Sequence, residues 1–313
     1  MTSISRRYIL PEIIDSVYNS NVLFYRLNAA NRKVVRGGTQ IELPLAYTRI
    51  NSAGNYVGFD LLDTTPQDVI KNAAWDWRQK YVTVSVDGAT LMKNDSPESV
   101  ANLVRSYFEL ARQRAEDDMG TGIFSTGSDL TEIDGLAGAI DDGTILATYG
   151  GLGNRTTTNA FWQPAAGAYD TTTAVLTLAA MQAVFGAATQ GARHPTLLVG
   201  TQANYNRYWA LVQVQQRFPT QPAGADEQLA AAGFTNLLFN NVPFAVDSHC
   251  PANNIFFMNE EYIDLCIHPS RDWVLEDFQQ PVNQDAMVAK LLWMGQLIVK
   301  NILRQGRMTA VAA

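Results

Sequence analysis

His249, Cys250, Cys266 and His268 carry the widest chemical repertoire in this chain. Imidazole and thiolate are the groups that hold structural zinc in a tetrahedron, and these four fall on two stretches that read as facing strands. The spacing argues against a metal centre. Structural sites pair ligands as Cys-x2–4-Cys or His-x3–5-His, and an adjacent His-Cys is awkward for one tetrahedron. All four are expected at core or turn positions, with no metal or cofactor. Ser248-His249-Cys250 places a nucleophile beside a base. Neighbours on a strand point to opposite faces, however, so they cannot hydrogen-bond as a pair. Asp117-Asp118 and Asp141-Asp142 are adjacent carboxylates with no partner base, and solvated faces account for both. Gly150-Gly151-Leu152-Gly153-Asn154-Arg155 is the nearest thing to a phosphate cradle. A dinucleotide loop needs a buried strand before it and a helix after it, and a P-loop needs Gly-Lys-Ser/Thr, so a plain loop is expected. No enzyme is read from these groups.

The element best placed to organise the chain is the stretch from Asp95 to Met119. Asp95 and Glu98 form a capping box, and Pro97 falls in the first turn, where its missing donor costs nothing. Val100, Leu103, Val104, Tyr107, Phe108, Ala111, Ala115 and Met119 make an apolar stripe of helical period. Arg105–Glu109, Arg112–Glu116 and Arg114–Asp118 pair on the other face. Gly120 and Gly122 are expected to end this spine.

The chain has 313 residues, 47% of them hydrophobic, enough to bury a full core. Only 17% are charged, which favours a surface covered by partners. The formal net charge of −7 is uneven. Residues 1–36 hold Arg6, Arg7, Arg26, Arg32, Lys33 and Arg36 against Glu12 and Asp15, and the last 24 residues hold four basic side chains and no acid. Basic ends on an acidic body suit terminal arms that lie on an acidic neighbour or near a polyanion; solvated ends are the plain alternative. Two cysteines make no disulfide framework, and no apolar run reaches membrane-spanning length, so an intracellular place of synthesis is expected.

Taken in order, residues 1–36 read as an arm with helical spacing from Pro11 to Asn28, broken at Asn19-Ser20-Asn21. Thr39 to Gly88 is an excursion: TQIELPLAY as a strand made an edge by Pro44, a loop at Asn51–Asn55, YVGFDLLDT, and the alternating strand YVTVSV. Such a ribbon is marginal in water and must be held from outside its own domain. Its large apolar side chains Leu45, Tyr47, Tyr56, Phe59, Trp75 and Trp77 are the expected subunit-interface residues. Thr121 to Arg155 reads as a Gly- and Asp-rich loop. Helix 171–188, strand TLLVGT, helix 202–217, and strands at 236–247 and 254–267 around a turn at Pro251 make a compact α/β unit. Residues 285–308 suit a strand returning to the spine. The remaining aromatics, Tyr107, Phe161, Trp162, Trp209 and Trp293, are scattered core or interface anchors, with no stacking platform for bases.

This order, with the closing pattern Phe278…Pro281-Val282…Asp285…Leu291-Leu292…Gly295…Arg304, resembles the major capsid protein of tailed double-stranded DNA phages, a fold shared with encapsulins. LLFNNVPFAVDSHCPANNIFFMNEEYI is similar to the family's stretch between apical strands, except that Asn241-Val242-Pro243-Phe244 replaces Gly-x-Pro-Val. The resemblance implies an α+β, HK97-like capsid fold. Its parts would be an N-terminal arm (1–36), an extended two-stranded loop (37–88), a peripheral domain with the spine helix 95–119 (89–170 and 270–313), and an α/β apical domain (171–269). It also implies a structural role: hexamers and pentamers closing an icosahedral shell around packaged DNA, in a virion assembled in the bacterial cytoplasm. Scaffold, portal and decoration proteins are the implied partners; the short N-terminus implies a separate scaffold chain unless a processed segment was removed from the gene product. Some members cross-link a Lys on the excursion to an Asn on the spine domain. Lys71, Lys80, Asn283 and Asn301 are placed for this, but the closing segment after Asp277 has no glutamate to serve as base, so cross-linking is not expected. An encapsulin-like compartment around a protein cargo, or an enzyme with an unread site, are the rival readings.

Overall fold

The computed structural model describes residues 21–93, 97–172, 174–213 and 237–312. In chain order the elements are α1 (Val22–Ala30), β1 (Arg32–Val34), β2 (Gln40–Ala46), β3 (Ile70–Asp76), β4 (Arg78–Asp87), α2 (Gly88–Lys93) and α3 (Pro97–Ile123). After α4 (Leu136–Ala139) come β5 (Tyr169–Asp170), β6 (Ala174–Val175), α5 (Leu178–Ala188), β7 (Leu197–Gly200) and α6 (Gln202–Gln213). The closing strands are β8 (Leu237–Phe239), β9 (Val242–Val246), β10 (Ile255–Met258), β11 (Ile263–Ile267), β12 (Val274–Leu275), β13 (Ala286–Val299), β14 (Gly306–Met308) and β15 (Val311–Ala312).

Two sheets share the core. In the first, the 14-residue β13 is central. It pairs with β4 along one edge, from Ala286↔Asp87 to Gly295↔Arg78, and with β11 and β12 along the other; β1 adds to β11 in parallel. The second sheet runs β5-β14-β10-β7-β9-β8. Its strands are buried on both faces and alternate between two cores. Leu197, Val199, Phe256 and Met258 face the main core under the spine, while Leu198, Ile255 and Phe257 face a smaller core with α5 and α6. A two-sided burial of this kind explains why TLLVGT and NIFFM read as continuous apolar runs.

Several expectations are corrected. Within the stretch read as an arm, the described part packs on the body: Asn21 caps α1 by accepting from the Phe24 N–H (3.1 Å), Val22, Leu23 and Leu27 enter the main core, and β1 joins the first sheet. Residues 1–20, and the helical spacing read there from Pro11, lie outside the described residues, as does the cap at Asp95. The spine runs on to Ile123, so Gly120 and Gly122 do not stop it. They are close-approach positions: a side chain at Gly120 would collide with the His249 ring, 2.7 Å away, and one at Gly122 would meet the Lys80 ammonium at 3.1 Å. Arg112–Glu116 and Arg114–Asp118 pair as expected. From Val104 on, the apolar stripe is half-buried or exposed as far as Phe108, with Tyr107 39% exposed, and is buried at Ala111, Ala115 and Met119.

The strand paired with β2 is β3, not YVGFDLLDT, and YVTVSV, read as the returning strand, belongs to β4 in the first sheet. Pro44 lies in β2, which among the described residues pairs only with β3, in keeping with an edge strand. The stretch 236–247 is a hairpin, β8–β9, turned at Asn240 (φ +49) and Asn241 (φ +64). Both sit in the left-handed region that asparagine tolerates, which explains how Asn241 can stand where the resemblance has glycine. β10 and β11 do not form one unit: they enter different sheets. Likewise the closing segment divides, β13 returning to the spine and β14 pairing with β10.

Candidate subunit interface

The β2–β3 hairpin has a buried base and a bare tip. At the base, Ile41, Ala73 and Trp75 enter the main core. Trp75 is 1% exposed and meets Tyr149 edge-to-face at 5.7 Å. It is therefore removed from the expected interface, because its own subunit already buries it. The reason lies in the glycine motif. Tyr149 and Leu152 form a tight bridge around Gly150 and Gly151, both at positive φ. The Gly150 carbonyl accepts from the Ala74 N–H at 2.9 Å, and a Cβ at Gly150 would lie 2.7 Å from the Trp75 ring. Glycine is needed there for both the turn and the contact.

Arg155 completes this clamp. It is fully buried, and its guanidinium donates to the carbonyls of Trp162, Gly138, Leu146, Ala139 and Asp141 at 2.7–3.2 Å. With every arm engaged, the motif has no cation to offer a phosphate. It is an ordered anchor for the hairpin, not the plain loop expected.

Leu45, Tyr47 and Trp77 are half-buried along the hairpin's lower part. Tyr47 packs on Phe161 at 5.5 Å, donates its hydroxyl to the Asp68 carbonyl (2.7 Å), and lies under the Lys71 ammonium, 4.5 Å from its centroid. Trp77 donates to the Gly38 carbonyl (2.9 Å) and meets His268 edge-on at 5.8 Å. Beyond them, residues 47–69 contain no strand. Small polar contacts hold the loop, such as Asn51 N–H to Gln67 (2.7 Å) and Val57 N–H to Asp60 (2.9 Å). Tyr56 and Phe59 stand out in solvent, Phe59 at 107% exposure. Val57, Leu61 and Leu62 join them, and the sequence reading missed these three. The signal was present in YVGFDLLDT, an apolar run with no partner strand. An apolar group this dense on one loop makes it the candidate contact surface.

The chemically versatile residues are spent on structure. His249 lies on the turn after β9, not on a strand. Its Nε2 is 2.7 Å from Asp117 Oδ1 and its Nδ1 3.3 Å from Asp247 Oδ1. Hydrogen bonding to Asp247, opposed by burial and aided by Asp117, raises its pKa. Asp117 is thus the spine's partner for this histidine, not a solvated group. Asp141, likewise read as solvated, is fully buried and accepts from the Gly143, Ile145 and Leu146 N–H groups at 2.9–3.1 Å. Cys250 is buried with its thiol pushed up by burial, and Cys266 is pushed up by burial to about 11. Such thiols are poor nucleophiles and poor ligands. Among the described residues, no group of three or more His, Cys, Asp or Glu is gathered as a metal site, and no helix is long and apolar enough to cross a membrane. Lys71 donates to Asn159 within its own chain (2.9 Å), and Lys80 to the Asp118 carbonyl (2.9 Å).

No protein-family model matches the sequence, and no curated protein matches it. Solved structures do. The chain is similar to a chain of the cyanophage A-1(L) capsid asymmetric unit, at 15% identity over 96% of each chain and a TM-score of 0.70. It is similar to the capsid of a native GTA particle, at 16% identity over 96% of this chain and 94% of the other, with a TM-score of 0.60. It is also similar to the SrpI encapsulin of Synechococcus elongatus PCC 7942, at 8% identity over 96% and 92%, with a TM-score of 0.61. The fold is the α+β shell fold shared by these phage capsid and encapsulin chains.

Proposed function

We propose that this chain is a major capsid protein, a structural subunit whose copies close as hexamers and pentamers into an icosahedral shell around packaged double-stranded DNA. The observation that carries the reading is the hairpin: anchored at its base by Trp75 and Gly150, it presents Tyr56, Val57, Phe59, Leu61 and Leu62 to solvent on a fold shared with capsid chains. A monomer gains nothing from that arrangement, whereas a heterologous contact repeated around a ring buries it in every copy. Leu45, Tyr47 and Trp77 extend the contact along the shaft. Many weak contacts of this kind sum through multivalency.

Scaffold and portal proteins, decoration proteins, a virion location and assembly in the bacterial cytoplasm belong to the same proposal. The role is structural: His249, Cys250, Arg155 and both aspartate pairs are occupied in holding the fold. The encapsulin likeness favours a second reading, a compartment enclosing a protein cargo. Electron microscopy and sizing of the expressed protein decide the matter. Rings or closed particles of MDa mass are expected, and nuclease-protected DNA inside particles from infected cells separates a capsid from a compartment with a protein passenger. A monomer of 34.4 kDa at high concentration, with or without partner proteins, overturns both.

A further inference from the structure

The β2–β3 hairpin leaves the subunit past a single half-buried cation. Lys71, on β3 opposite Leu45, donates its ammonium to Asn159 Oδ1 at 2.9 Å. It also lies over two rings, Tyr47 at 4.5 Å and Phe161 at 5.5 Å. Tyr47 directly follows β2, whereas Asn159 and Phe161 belong to the body, so one side chain joins both strands of the hairpin to the body. We infer that Lys71 is a positioning residue: it fixes the direction in which the apolar tip leaves the subunit and so holds the tip ready for a neighbour. The presentation to a neighbour rests on the proposed function; the fixed direction does not.

Three observations carry this assignment. First, the acceptor is held in advance: Asn159 is 9% exposed and its Nδ2 donates to the Gly153 carbonyl at 2.6 Å, which leaves Oδ1 for the lysine. The same stretch is tied to the Trp75 clamp, since Trp162 Nε1 donates to the Tyr149 carbonyl at 3.1 Å. Second, among the described residues no carboxylate pairs with Lys71, so its charge is held by the amide oxygen and the two ring faces. Third, Lys71 stands at the last level of contact. Leu43 and Leu45 pack on the main core below it. Beyond it, among the described residues, 48–68 hydrogen-bond only to one another, to Tyr47 and to Ile70. A Cβ at Gly54 or Gly58 would meet nothing within 4 Å. The Tyr47–Phe161 ring contact at 5.5 Å adds adhesion at the same level, but it sets direction less sharply than an ammonium–amide hydrogen bond.

The test is double electron–electron resonance on the full chain carrying Ala53→Cys in the tip and Ser128→Cys on the body, both exposed positions. The spin-labelled protein is diluted in excess unlabelled protein so that only pairs within one subunit are read; the native thiols of Cys250 and Cys266 are buried. The parent should give one narrow distance distribution. Lys71→Met, which keeps an unbranched stem and removes the charge, should at least double its width while circular dichroism stays unchanged. Lys71→Arg, which keeps a cation over the rings and a donor for Asn159, should restore the parent's width. A parent as broad as Lys71→Met, an Arg variant as broad as the Met variant, or a Met variant that loses its helix signal overturns the inference. In assembly, Lys71→Met should lower the yield of closed particles at least fivefold at equal folded protein, and a normal yield overturns the presentation role. If the parent itself forms no particles, the shell reading falls, while the distance widths still decide what Lys71 does.

Discussion

His249 Nε2 lies 2.7 Å from Asp117 Oδ1, joining the turn after β9 to the last turns of the spine helix 132 residues earlier in the chain. Asp247, fully buried, holds the other ring nitrogen at 3.3 Å and also accepts the Leu23 N–H of α1 at 3.0 Å. Three elements distant in sequence therefore meet on the Asp247–His249 pair.

That contact makes stability depend on pH. The histidine's pKa is raised in the folded state, so its contribution is fully present below the unfolded value, about 6.5, and is lost as pH rises through the folded value. Charge-assisted hydrogen bonds of this kind contribute about 1.5–3 kcal/mol. The His249→Gln variant should lose about that much against the parent in urea titrations at pH 6, and less at pH 9. A gap that is constant with pH, or that widens as pH rises, contradicts the assignment.

The Trp75 clamp should be the costliest single contact in the hairpin. Trp75→Ala leaves a cavity beside Tyr149 and is expected to cost about 3–5 kcal/mol. Gly150→Ala adds one methyl 2.7 Å from the indole at a positive φ, and should cost about 1–3 kcal/mol by overpacking. If either variant unfolds like the parent in chemical denaturation while shells fail, Trp75 belongs to the interface after all.

The tip should be dispensable for folding and necessary for assembly. Because β3 begins at Ile70, the deletion that tests this spans residues 50–66, bridged by a short Gly-Ser turn. Helix content by circular dichroism should match the parent, and closed particles should vanish under negative stain. Phe59→Asp with Leu61→Asp should do the same without shortening the loop, since interface anchors each cost about 2–4 kcal/mol when lost. Normal particles from either variant would remove the tip from the assembly mechanism.

Chelation should leave the melting temperature and particle integrity unchanged, because His249 is held by two aspartates and Cys250 and Cys266 are buried. Both thiols should react with Ellman's reagent only after denaturant is added. A loss above about 2 kcal/mol on chelation would restore a zinc site.

Local pattern and order were legible in the chain itself: the α+β content, the spine stripe and its ion pairs, the edge strand marked by Pro44, and the order of elements that resembles capsid proteins. These rest on interactions between residues near in sequence, whose periodicity is written directly into side-chain type. Partnership across the chain was not legible. YVGFDLLDT reads as a strand and the stretch around Trp75 as a polar connection, yet it is the latter that pairs with β2 and sends Ala73 and Trp75 into the main core. Gly120 looks like a helix stop until His249 is seen against it, and Asp117 looks solvated for the same reason. Arg155 looks like a loose cation until five carbonyls from residues 138–162 converge on it. Each of these depends on which distant groups share a space of a few ångströms, and sequence spacing carries no record of that. Tertiary structure alone decided which aromatics the subunit buries and which, like Phe59, it leaves exposed.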